Sequence, residues 1–171
     1  MNNGNNFLLK SLFFSLLVLF SFTNSFEAQA QNQIGGHFGV VQPIVTFQDG
    51  DTNDHFDPHT IGFPMGITVR KNEKFAFDLE FVPLITSSPT NDAINLLIHP
   101  GLLWGIGDKL TFGARAAYEL GGAGRYGFTP LLNKGFLVGE LPVFAEFVLP
   151  VRMGSDAGLS VTAAIHFGVG F

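Results

Sequence analysis

Along most of the chain, apolar residues fall on every second position, the period of a strand and not of a helix. IGFPMGITV places Ile61, Phe63, Met65, Ile67 and Val69 on one face against Gly62, Gly66 and Thr68. FAFDLEFVPLI sets Phe75, Phe77, Leu79, Phe81 and Ile85 against Ala76, Asp78 and Glu80. NLLIHPGLLWGI sets Leu96, Ile98, Leu102, Trp104 and Ile106 against Asn95, His99, Gly101 and Gly105. In LTFGARAAYEL the line Leu110, Phe112, Ala114, Ala116, Tyr118, Leu120 opposes Thr111, Gly113, Arg115 and Glu119. PVFAEFVLPVRM opposes Val143, Ala145, Phe147, Leu149, Val151 and Met153 to Glu146 and Arg152. The closing GLSVTAAIHFGVGF is apolar at alternate positions from Leu159 to Phe171, with small or polar residues between.

Two segments are less regular. In QIGGHFGVVQPIVTF the residues Ile34, Phe38 and Val40 are in phase, but Val41, Val45 and Phe47 are not. That change predicts a bulge near Val40–Val41. RYGFTPLLNKGFLVGE carries Tyr126, Phe128 and Leu132 on one side, and its far end is open because both NKG and GELP read as turns. The pattern therefore predicts eight strands, each of about 9–11 residues, the length a tilted membrane-crossing strand needs. Their connections differ in length: QDGDTNDHFDPHT is long, whereas KNEK and GDK are tight. Long loops on one side and short turns on the other characterise membrane barrels, with the short turns facing the periplasm.

The second face decides what surrounds the sheet. A soluble sheet would show Lys, Glu and Asp there. This one shows Gly, Ala, Thr and Ser with a few spaced charges, which suits a narrow interior filled by small side chains. Hydrocarbon cannot hydrogen-bond an open sheet edge, so the sheet has to close. The expectation is an all-β fold, an eight-stranded antiparallel up-and-down transmembrane β-barrel. Aromatic residues toward strand ends (Trp104, Tyr118, Tyr126, Phe171) fit interfacial girdles.

Composition sharpens this picture. Only 13% of the residues are charged, against about 25% in ordinary soluble domains, and there are 20 Phe and 21 Gly. The net charge of -5 leaves no basic footprint for nucleic acid. MNNGNNFLLK followed by SLFFSLLVLFSF and a polar stretch ending EAQA reads as a cleaved signal peptide over residues 1–30, leaving the barrel at 31–171. The apolar run is too short for a membrane-spanning helix of about 20 residues. With no cysteine, disulfides and lipoprotein attachment drop out.

The chain resembles the small eight-stranded outer-membrane β-barrels of Gram-negative bacteria, the class of the OmpA transmembrane domain and OmpX. The most specific feature is the closing IHFGVGF, similar to that family's C-terminal signature. The resemblance implies that Phe167, Val169 and Phe171 form an assembly signal read by the outer-membrane barrel-assembly machinery. It also implies a monomer in outer-membrane lipid.

The candidate chemistry lies on the inward face. An Arg turned to lipid at the bilayer midplane costs about 2–4 kcal/mol, so the phase puts Arg115 inside with Asp78, Glu80, Glu119, Glu146 and Arg152. Glu80, Arg115 and Glu146 fall at comparable depth, which predicts a lumen plug with Arg115 held by one or both carboxylates. The plain reading is satisfied buried charge; the sharper one is a gate on a narrow conduit. His37, His99 and His166 share the lumen face, and barrel closure would make His37 and His166 neighbours. His55 and His59, among Asp49, Asp51, Asp54 and Asp57, lack the spacing of a calcium loop, so no metal and no cofactor are expected. No Ser–His–carboxylate set emerges. Ser87 and Ser88 near Asp92 and His59 are too loosely spaced, and GGAGRYG is no phosphate loop, so the chain does not read as an enzyme.

The function expected is a structural or surface-interaction barrel whose loops, above all residues 48–60, make contacts. The alternatives are a narrow channel or transport component and, behind it, a soluble lipocalin-like binding barrel or a lipid-modifying enzyme.

Overall fold

The computed structural model describes residues 33–87, 93–121, 124–154 and 158–171. The expected signal peptide lies outside these residues. The strands are β1 (Gln33–Gln48), β2 (Asp51–Asp54), β3 (His59–Gly62), β4 (Met65–Asn72), β5 (Phe75–Ser87), β6 (Ala93–Gly107), β7 (Leu110–Leu120), β8 (Tyr126–Val138), β9 (Leu141–Val148), β10 (Val151–Met153) and β11 (Ser160–Gly170). They fill eight positions of one antiparallel ring: β1, β2 with β3 and β4, β5, β6, β7, β8, β9 with β10, and β11. The ring closes where β1 pairs with β11, His37 opposite Gly170 and Gln48 opposite Ser160.

A proline, which has no N–H to give to a ladder, stands at two of the breaks, although Pro43, Pro83, Pro100 and Pro130 lie inside unbroken strands. Pro64 separates β3 from β4, and Pro150 separates β9 from β10. Neighbouring strands still use the proline carbonyls: Gly39 N–H donates to Pro64 O at 2.9 Å and Thr162 N–H to Pro150 O at 2.8 Å.

The barrel holds buried charged groups within, beside a small aliphatic cluster, and is apolar without. Outward Phe77, Phe112 and Phe147 are 43%, 46% and 46% exposed, whereas inward Asp78 and Arg115 are 0% and 4% exposed. Tyr118 opposite Tyr126 marks one rim, and Trp104 packed near Phe75 and Phe112 lies toward the other. A closed ring with this outer face matches the requirement of a hydrocarbon solvent.

Several local expectations need correction. The bulge is not at Val40–Val41; the register against β11 slips between Pro43 and Val45. Up to Pro43 the odd-numbered residues face inward, so Val41 is a lumen residue, and it packs with Leu103 against Leu131, Val148 and Ala164. An aliphatic patch inside the barrel is what misplaced the bulge. Beyond the slip Thr46 is buried and Phe47 faces out. Much of the long loop 48–60 is strand: Asp49 and Gly50 have φ of 54° and 92°, the left-handed pair of a tight hairpin turn, and β2 returns along β1. The NKG segment lies within β8, and the turn before β9 is at Gly139–Glu140. Strands also exceed the expected length, with 16 residues in β1 and 15 in β6.

Candidate functional site: an ionic septum across the lumen

Strand register brings the inward charges to one level. Asp78 on β5 pairs with Gly101 on β6, and Gly101 pairs with Arg115 on β7. The glycine between them matters sterically. A Cβ at Gly101 would stand 2.5 Å from Arg115 Cγ, so its absence lets the arginine side chain lie across β6. Arg115 Nε then donates to Asp78 Oδ2 at 2.8 Å, and Nη1 donates to Glu146 Oε1, also at 2.8 Å. Its Nη2 lies 3.6 Å from Glu80 Oε2. Three carboxylates thus surround one guanidinium, and Thr68 Oγ1 and Asn133 Nδ2 donate to Asp78 and Glu146 at 2.7 and 3.2 Å.

Histidines extend the network. Glu80 Oε1 meets His99 Nδ1 at 3.1 Å, and Glu80 Oε2 meets His37 Nε2 at 3.1 Å. Arg152 Nη2 donates to His99 Nε2 at 3.0 Å. A guanidinium only donates, so this nitrogen accepts and the His99 proton sits on Nδ1, toward Glu80. His166 Nδ1 lies 3.3 Å from Glu146 Oε1. Its ring centroid is 6.3 Å from that of His37, and its buried Nε2 has no hydrogen-bond partner among the described residues. A Cβ at Gly39 would stand 2.5 Å from that Nε2, so a second glycine makes room for a ring.

Glu119 stands apart, bound to Arg125 Nε at 3.1 Å nearer the rim. Arg125, Asn133 and Thr129 are network members that the alternation does not single out. Thr129 receives a hydrogen bond from Arg152 at 2.9 Å.

Two cavities reach the Arg115 cluster from opposite sides. One, of about 300 Å³, reaches from Glu80, Arg115 and Glu146 up to the hairpin residues Gln48 and Asn53. The other, of about 1090 Å³, spans from Asp78, Arg115 and Glu146 down to the short turns at Glu73 and Asp108. Arg115 and Glu146 line both.

Ligand atoms of His37, Asp78 and Glu80 lie within 4.8 Å of one another. Arg115 already supplies their cation, which leaves this group poorly suited to a metal ion. In the hairpin the histidines bond to residues of β1: His55 Nε2 meets Thr46 Oγ1 at 2.7 Å and His59 Nε2 meets Gln42 Oε1 at 3.0 Å. Ser88 and Asp92, weighed as parts of a catalytic set, lie outside the described residues. Phe167 faces outward, and Phe171 joins β1 through reciprocal bonds with Gly36 at 2.8 and 3.0 Å.

No protein-family model and no curated protein sequence matches this chain. Two solved structures of Ail, the attachment invasion locus protein of Yersinia pestis, are similar in fold. One is 12% identical with a TM-score of 0.51, covering 82% of this chain and 99% of Ail. The other, in complex with the heparin analogue sucrose octasulfate, is 14% identical with a TM-score of 0.49, covering 81% and 97%.

Proposed function

We propose that this chain, which has the fold of the small eight-stranded outer-membrane β-barrels, is a monomeric, non-enzymatic barrel with a plugged lumen and a contact surface on its β1–β2 hairpin. At 12% identity the likeness to Ail carries the fold and not that protein's role in attachment. One observation carries the plug: the Arg115 guanidinium is held at 2.8 Å by carboxylates from two other strands. An aqueous path would have to part those bonds, and each severed partner would be left as an uncompensated buried charge. The outward phenylalanines speak for lipid against a soluble binding barrel. Short turns at one end and the β1–β2 hairpin at the other support an orientation with the hairpin outside the cell. Outward Phe167 and terminal Phe171 support recognition by the barrel-assembly machinery.

Planar-bilayer recording tests the plug. The plug predicts silence from the wild type and from Arg115→Ala. The second reading, a gated conduit, is favoured by the two cavities that meet the septum from opposite sides. Stepwise wild-type openings that Arg115→Ala changes would establish it and end the plug. Replacing residues 49–57 by a short Gly-Ser turn tests the surface role: cell-surface contacts should fall while barrel assembly is kept.

A further inference from the structure

The cavity above the septum differs from the rest of the lumen. Its lining is mixed: the aliphatic Val82, Leu84, Leu97 and Val148 face inward among polar residues that include Arg152 and Thr129. About 300 Å³ is the lower end of the range for small-molecule sites. Arg152 is only 5% exposed. Its hydrogen bonds all go to uncharged acceptors: the carbonyls of Phe128 and Val151 at 3.0 Å each, Thr129 Oγ1 at 2.9 Å and His99 Nε2 at 3.0 Å. Among the described residues no carboxylate approaches it within 4.0 Å, in contrast to the three around Arg115. Buried guanidinium groups ordinarily face an anion. The other acids lining the cavity are engaged: Glu119 by Arg125, Glu80 by His99 and His37, Glu146 by Arg115.

We propose that this outer vestibule binds a small organic anion, its carboxylate on Arg152 and its apolar body along Val82, Leu97 and Val148. Four of the five N–H donors of Arg152 are engaged by those uncharged acceptors, so what draws a carboxylate is the uncompensated charge of the group in a low-dielectric pocket, together with its Nε–H. The aliphatic residues of the lining give a short hydrocarbon or aromatic body a place to pack. The site lies above the septum, so it stands whether or not the lumen conducts.

The test is titration calorimetry of the purified full chain in lipid nanodiscs with phenylpropionate, and with phenylpropionamide as the uncharged match. Phenylpropionate should bind one to one, and the amide at least about tenfold more weakly. Arg152→Gln should reduce phenylpropionate binding by a similar factor, with heat-modifiable gel mobility reporting that the barrel is folded. Leu84→Trp, which fills the cavity while keeping Arg152, should abolish binding, and it carries the test if Arg152→Gln fails to fold. No saturable binding by the wild type, equal binding of acid and amide, or binding untouched by Leu84→Trp would each overturn the proposal.

Discussion

Arg115 is stable in the middle of the barrel because strand register sets its carboxylate partners around it. Asp78 and Glu80 share the inward face of one strand, Glu146 comes from the opposite wall, and Gly101 leaves the gap through which the side chain passes. Removing the cation would leave three carboxylates crowded without compensation. Arg115→Met should therefore cost about 3–5 kcal/mol of stability, read as a lower urea midpoint for loss of heat-modifiable mobility. Glu119→Gln should cost less, about 1–3 kcal/mol, because Glu119 is only 4% exposed but its partner Arg125 is 33% exposed and water takes over part of its solvation. Which charges point inward was legible in the alternation alone, since a charge on the lipid face is so unfavourable. Gly101, Asn133 and Arg125 were not, because their roles follow from strand register, and a period of two carries no information about register.

At the scale of elements, the β1–β2 hairpin shows where periodicity fails. The segment DGDTND is polar on both faces because water, not lipid, surrounds both, so a strand there resembles a loop. What defines it is the Asp49–Gly50 turn and an anchor on the barrel wall: His55 Nε2 on Thr46 Oγ1, which in turn meets Thr162 Oγ1 at 2.6 Å. Partial burial pushes the His55 imidazole below its ordinary value of 6.5, with Arg125 reinforcing the shift and Asp54 opposing it. The opened hairpin then takes up a proton that the docked hairpin resists. The docked form is fully favoured above 6.5 and loses stability as the pH falls below it. The protection of amides in residues 45–54, with exchange rates divided by their intrinsic rates at each pH, should fall between about pH 7.5 and about pH 5.5, and His55→Gln should flatten that dependence.

For the whole molecule, the exterior was the most legible feature, since one apolar face repeated around a ring admits few other solvents. Spin labels at Phe77→Cys, Phe112→Cys and Phe147→Cys should be relaxed by dissolved oxygen and shielded from a water-soluble nickel complex. A label at Asn53→Cys should show the opposite. Water contact at the three phenylalanine sites would remove the membrane reading altogether. Closure of β1 on β11 also has a consequence for biogenesis. The staves that seal the cylinder are the earliest and the latest described ones to be synthesised, and pairing of distant segments is slow. While residues 160–170 have yet to emerge from the ribosome, the edge of β1 that β11 will cover has no partner among the described strands. Sealing of the cylinder only after translation has passed the last stave follows from that order.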